Sequence, residues 1–230
     1  MSIIRSICSI TIFSLLSFSW IAPPRSFQSS GKRLSDHDLT VSYSIGLRSK
    51  KNDTGLGETY NGGVKTIFIS NGQARLRLVS LMRMQSIFIL PGTDPQQNVA
   101  ILKESGSKKY KTYLTAEEWK QYNKKYEGIN CRFSDDTATV LRYVCKKAVL
   151  TLKSGDVITA FYTPAIHRQI LAQADPAFAC IPGLVLKYEY QYRKGTITYT
   201  ATTVNTGAID PEVFNVPEKG FQLKKYTPGQ

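Results

Sequence analysis

Residues Cys180–Val204 read CIPGLVLKYEYQYRKGTITYTATTV. Successive residues of a strand point to opposite faces, so Leu186, Tyr188, Tyr190 and Tyr192 share one face and Lys187, Glu189, Gln191 and Arg193 the other. The first face is aromatic with polar tips; the second is wet. Lys194-Gly195 turns the chain into TITYTATTV, a run rich in β-branched residues. Two such runs with a short turn between them predict an antiparallel pair whose tyrosine face meets a core or a ligand.

Outward from this pair the same signals recur. ATVLRYVCKKAVLTLK (138–153) and DVITAFYT (156–163) read as two further strands, separated by Ser154-Gly155. A proline-bounded loop, Pro164 to Pro182, then leads to the tyrosine strand. Upstream, VKTIFIS and QARLRLVS flank Asn71-Gly72, the positive-φ pair that a tight hairpin turn requires. LTVSYSIGL (39–47), QSIFIL (85–90) and NVAILKESGSKKYKTYL (98–114) supply the remaining strands of a meander, the last turning near Ser105 to Ser107.

One helix interrupts the strands. Thr115 and Glu118 have capping-box spacing, and Leu114 with Trp119 are placed as a hydrophobic staple. In TAEEWKQYNKKY (115–126), Trp119, Tyr122 and Tyr126 follow at helical spacing and form a face that can lie on the sheet. The expected fold is mainly β (α+β): a curved antiparallel sheet or half-open β-barrel with one helix packed on it. Residues 28–230 make a single domain of ordinary size. Phe214 and Val216 are expected to tuck under the sheet edge, with the last few residues a loose C-terminal tail.

The first residues carry Arg5, then an apolar run from Ile7 to Ala22 that Pro23 and Pro24 end. A short basic region before a short apolar one predicts a secretory signal peptide over residues 1–27 and an exported chain, on the periplasmic or extracellular side of an envelope. The formal charge of +13 falls to +11 once Arg5 and Arg25 leave. The partners such a basic exported chain fits are an anionic membrane surface, a lipid or lipoprotein, or another envelope protein; nucleic acid is not expected.

Three cysteines remain after the leader: Cys131, Cys145 and Cys180. An oxidising compartment allows one disulfide and leaves one thiol, with all three pairings open. No CxxC pair is present and His37 and His167 are isolated from the cysteines, so no metal site and no cofactor is expected. No GxSxG, HExxH or close carboxylate pair appears. GLGET (55–59) lacks the lysine and following helix of a phosphate cradle. Cys180 with His167 would be a poor nucleophile pair, because apolar Ala179 and Ile181 do nothing to lower a thiol pKa. The reading is of a non-enzymatic protein.

Tyr143, Cys145, Lys146, Lys147 and Ala148, then Tyr162, Thr163, Pro164 and Ile166, then Pro182 to Leu186, fall in an order that resembles the exported GLPGLI-type family of Bacteroidetes-like bacteria. Cys180 and Ile181 stand where that pattern has Gly-Leu, so the chain is similar to a divergent member or a sister group. The resemblance spans about fifty residues of this chain. It implies an envelope protein with a half-open sheet like that of the outer-membrane lipoprotein carrier, in which a helix closes an apolar concavity.

The tyrosine face then has two possible homes. Either Leu186, Tyr188, Tyr190 and Tyr192 pack under the Trp119 helix as ordinary core, or they line a cavity for an acyl chain or other hydrophobic ligand, with Trp119 and Phe161 as further walls. Ile67, Ile69, Leu76 and Leu78 would complete that wall. A protein-interaction module with a filled core is the alternative function.

Overall fold

The computed structural model describes residues 38–49, 61–92, 94–192 and 195–228. The leader over residues 1–27, His37, the GLGET segment and Lys194 lie outside the described residues, as does the side chain of Tyr192.

Strand β1 (Leu39–Ser49) begins a meander through β2 (Val64–Ser70), β3 (Gln73–Val79), β4 (Arg83–Ile89), β5 (Val99–Ser105) and β6 (Lys108–Leu114). Helix α1 (Ala116–Tyr122) follows, then β7 (Asn130–Val140), β8 (Tyr143–Thr151) and β9 (Val157–Thr163). Helix α2 (Ile170–Ala174) precedes β10 (Leu184–Tyr192) and β11 (Gly195–Asn205), and β12 (Gln222–Leu223) closes the chain. All twelve strands form one curved sheet in the order β12-β6-β5-β4-β3-β2-β1-β11-β10-β9-β8-β7. β12 and β7 are its two edges, so the sheet stays open. The expected mainly β, half-open architecture is the observed one.

The sheet is two meanders joined where β1 pairs antiparallel with β11. Every other pair is antiparallel too, except β12 beside β6. The Asn71-Gly72 turn forms as its sequence requires, with φ of 49° and 74°. Thr115 accepts from the Glu118 backbone and the Glu118 carboxylate accepts from the Thr115 N–H, so the capping box is complete. The α-helix ends at Tyr122, however, and Lys124–Tyr126 continues as a single 3-10 turn.

Two expectations change. The run 138–153 is not one strand: β7 begins at Asn130, and Leu141-Arg142 turns it back into β8. Leu141 adopts φ of 56°, a conformation that favours Gly or Asn, so the turn carries no residue that announces it. The Pro164–Pro182 loop contains α2 and a 3-10 turn at Pro176–Phe178, so two short helices rather than one lie against the sheet. Ahead of its last few residues the tail is anchored to the sheet. Arg75 donates to the Val213 carbonyl, and Lys111 donates to the carbonyls of Pro217 and Glu218. Val216 and Phe221 pack with Phe88, Ala100 and Leu102 on the outer face. These residues would otherwise leave apolar surface in water, and the tail covers them.

Two buried features fix the start of β1 and the start of β10. The Asp38 carboxylate accepts from the Ser70 hydroxyl at 2.6 Å and from the Ile209 N–H at 2.8 Å. Gly183 enters β10 so close to the end of β9 that a Cβ there would overlap the Thr163 carbonyl. Only glycine fits this approach.

Cys131 of β7 is disulfide-bonded to Cys180, ahead of β10. Cys145 is the free thiol and is fully buried, so of the three cysteines proposed for pairing it is the one that does not pair. Its position on β8 places it in the core cluster with Val140, away from the bridge. Burial pushes its pKa up, which keeps it a protonated and unreactive thiol. Non-reducing peptide mapping is expected to join Cys131 to Cys180, with Cys145 alkylated only after unfolding. The bridge spans 49 residues, and closing a loop of that size corresponds to about 4 kcal/mol of stability. The double variant Cys131→Ser/Cys180→Ser should lose a stability of that order in urea unfolding.

Candidate functional site

The alternation of each strand places one apolar face of the sheet under the two helices. Leu39 and Val41 of β1, Ile67 and Ile69 of β2, Leu76 of β3 and Ile101 of β5 form a core with Leu114 and Trp119. Trp119 Nε1 donates to the Gln173 carbonyl at 2.9 Å, which ties α1 to α2. Toward the other end of the same face the residues become aromatic and polar, and the side chains no longer fill the space. A cavity of about 750 Å³ remains there, lined by Leu76, Leu78, Ile87, Trp119, Tyr122, Ile158, Tyr190 and Ile197 among others. That volume lies within the roughly 300–1,000 Å³ of small-molecule sites. A second pocket of about 480 Å³ lies between α1 and the α2 segment, bounded by Ile89, Val99, Trp119, Ala172 and Pro176.

At the floor of the large cavity stands a lysine. Lys65 shares the apolar face of β2 with Ile67 and Ile69, and its ammonium sits among three tyrosines. Its Nζ lies 5.8 Å from the Tyr43 ring centre, 5.3 Å from that of Tyr188 and 5.8 Å from that of Tyr199. It pairs with the Asp175 carboxylate at 2.5 Å and donates to the Tyr188 hydroxyl at 3.2 Å. Burial alone would lower the pKa of this amine; the Asp175 carboxylate, helped by Tyr43 and Tyr199, more than offsets it and holds the pKa above the ordinary lysine value. Asp175 closes α2, so the ion pair fastens the α2 segment to the sheet. The disulfide holds the same segment at Cys180.

The tyrosines divide between the two roles that the sequence left open. Tyr188 is core: its ring stacks on Tyr199 at 4.3 Å and meets Phe178 edge-on at 4.8 Å, while its edge also borders the cavity. Tyr43 donates its hydroxyl to the Val185 carbonyl at 2.7 Å. Leu186 is fully buried in the core and does not reach the cavity. Tyr190 is a half-buried wall residue whose hydroxyl donates to Asp156 at 2.9 Å. Trp119 lines the cavity.

Phe161 does not. β9 sets Ala160 opposite Tyr188 and Ile158 opposite Tyr190, so Phe161 belongs to the other face, opposite Lys187. Its ring lies under the Lys187 ammonium at 5.8 Å. The cause is register: a bulge between Val185 and Lys187 shifts the pairing by one, and Ile158 becomes the wall residue.

Lys65 and Asp175 are the residues that sequence reading passed over. Lys65 had a signal, a charge at an apolar position of a period-2 pattern in VKTIFIS. Asp175 had none, because its place depends on the path of the loop. Cys180, in a disulfide, has no thiol to act as a nucleophile. Among the described residues no cluster of three or more His, Cys, Asp or Glu is placed to hold a metal ion, and no helix is long and apolar enough to cross a membrane.

No family model and no curated protein sequence matches the chain. Among the solved structures that resemble it are PNGF-II, at 18% identity over 83% of this chain and 32% of that one with a TM-score of 0.46, and MucB, at 11% identity over 81% of this chain and 61% of that one with a TM-score of 0.38. The chain thus spans about a third of PNGF-II. At these scores neither likeness bears on activity, and the fold stands on the strand order above.

The aromatic floor makes an alkaline signature. Burial raises the pKa of Tyr43 and, with the charges of Tyr199 and Asp175, that of Tyr188. Burial, then nearby acids, pushes Tyr126 and Tyr190 up to about 12. Each folded pKa is raised, so the stability these groups contribute is intact below the unfolded value of about 10 and is lost as pH rises through the folded values. Lys65 acts with the same sign. The tyrosinate absorbance of Tyr43, Tyr126, Tyr188 and Tyr190 is therefore expected to rise only well above about pH 10 during an alkaline titration, together with loss of tertiary circular dichroism. Their ionisation at about pH 10 with the fold intact would contradict the burial of these rings.

Proposed function

We propose that this chain is an exported, non-enzymatic envelope protein that holds a hydrophobic ligand, such as a lipid or a lipoprotein acyl chain, in the concavity beneath α1 and α2. The observation that carries this reading is the concavity itself: about 750 Å³ of half-open space whose lining joins aliphatic and aromatic side chains such as Leu76, Ile87, Ile158 and Tyr190 to polar ones such as Gln85, Gln121 and Lys125. The polar anchors that such sites use are present in Tyr190 and Lys65. A disulfide suits an exported chain, since such bonds persist in oxidising compartments.

The surface supports an anionic membrane as a partner in this reading. At the β3–β4 turn Leu81 is 90% exposed and Met82 67% exposed, beside the exposed cations Arg83, Lys103 and Lys108. Apolar residues at a hairpin tip with cations around them fit an anionic lipid surface. The turn lies at the end of β3 and β4 where Leu78 and Gln85 border the cavity, so contact there would bring a bilayer close to it. Co-flotation with phosphatidylglycerol vesicles is expected, and Leu81→Ser/Met82→Ser should reduce it several-fold. Unchanged flotation by that variant would remove the hairpin from the interface.

Native mass spectrometry with lipid extraction, on protein purified from its own envelope without detergent, tests the ligand. A stoichiometric lipid or acylated peptide is expected. Tyr190→Ala should lower retention of that ligand strongly while costing only about 1–2 kcal/mol of stability, because the ring is only partly buried. Leu186→Ala, in the filled part of the core, should instead cost about 2–5 kcal/mol. A bare mass, with Tyr190→Ala as destabilising as Leu186→Ala, would favour an interaction module with an ordinary core.

A further inference from the structure

We propose that the Lys65–Tyr188 corner of the cavity is a seat for the carboxylate head of a single-chain amphiphile, which competes with Asp175 for the Lys65 ammonium. This rests on reading the concavity as a ligand site and names the chemical class of the ligand.

The charges lining the cavity are unequal. Lys65 is at the floor and Lys124 and Lys125 are at the rim, whereas Asp175 is the one acidic residue among the described residues that line it. A neutral apolar ligand would leave this cationic lining unused. An anionic head meets it with charge-assisted hydrogen bonds, which are about twice as strong as neutral ones.

Asp175 shows that a carboxylate oxygen fits the seat. It lies 2.5 Å from Lys65 Nζ, with the Tyr188 hydroxyl on the same ammonium at 3.2 Å. It is also replaceable. Asp175 sits at the end of a five-residue helix with a side chain that is 20% exposed, so rotation outward returns its charge to water. Lys65, 12% exposed and fixed on a central strand, has no such exit and requires an anion beside it. A ligand carboxylate satisfies that requirement as Asp175 does. Beyond the seat, Leu76, Leu78, Ile87, Ile158 and Ile197 offer the apolar wall that a tail needs. The exchange of one carboxylate for another makes no covalent bond and releases no proton.

The test is a comparison of three twelve-carbon amphiphiles below their micellar concentrations, laurate, dodecanol and dodecyl phosphate, by titration calorimetry on the purified chain. Laurate is expected to bind roughly ten-fold tighter than dodecanol, a difference equivalent to one charge-assisted contact. Asp175→Asn should raise laurate affinity several-fold without changing that of dodecanol, and laurate should raise its Tm more than it raises the Tm of the unmodified chain. Lys65→Met should bring laurate down to the dodecanol level. Equal binding of laurate and dodecanol by the unmodified chain overturns the seat and leaves the cavity reading intact; that comparison needs no variant to fold. Tighter binding of dodecyl phosphate than of laurate overturns the choice of a carboxylate head. Binding of none of the three overturns the seat and the cavity reading together.

Discussion

A lysine on the inner face of the sheet constrains everything around it. An amine taken out of water is tolerated only if its charge is met, and Lys65 meets Asp175 on one side and the faces of three tyrosines on the others. Tyr43 comes from β1, Tyr188 from β10, Tyr199 from β11 and Asp175 from the end of α2. One ammonium therefore holds four elements from both meanders in register. The stacking of Tyr188 on Tyr199 across β10 and β11 adds an aromatic pair at the same point.

The space above this floor follows from the sheet. A twelve-stranded sheet, antiparallel except at β12, does not stay flat, because each strand is twisted relative to its neighbours and the twist accumulates. Curvature makes a concave face too deep for two helices of seven and five residues to fill. They pack where the strands present Leu39, Val41, Ile69 and Val99. The cavity is what remains toward the Lys65 end. On the convex side the tail covers Phe88, Ala100 and Leu102, so the sheet faces water directly over only part of that face.

The edges are managed separately. β12 is two residues long and runs parallel to β6, too short to template further pairing. β7 has a bulge at Ser134 to Thr137 that brings Asp135 and Asp136 to the edge, and Lys147 pairs with Asp136. A charged bulge twists an edge away from a second sheet. Its contribution is to discourage aggregation; an exposed pair of this kind adds little to stability.

Local rules were legible wherever one residue enforces one geometry. Asn71-Gly72 names its turn, Thr115 with Glu118 names a helix start, and the alternation in LKYEYQY names a strand and its two faces. Reading failed where the deciding partner was distant. Leu141-Arg142 has no turn chemistry of its own, and it turns because β7 and β8 pair along their whole length. The bulge at Val185 to Lys187 left Phe161 on the face opposite Tyr188 and Tyr190, since a one-residue offset exchanges one face for the other. The cysteine pair was open because spacing does not state which thiols meet. Lys65 was visible as a charge in an apolar pattern, but the carboxylate that makes it tolerable comes from residue 175, 110 positions away. The sequence by itself determined a mainly β chain, its strong turns, its capped helix and the amphipathic faces of its strands, because these are set by neighbours along the backbone. The tertiary structure decided register, disulfide pairing, the ion pair and the cavity, because each of these is a distance between segments whose positions depend on the packing of the whole sheet.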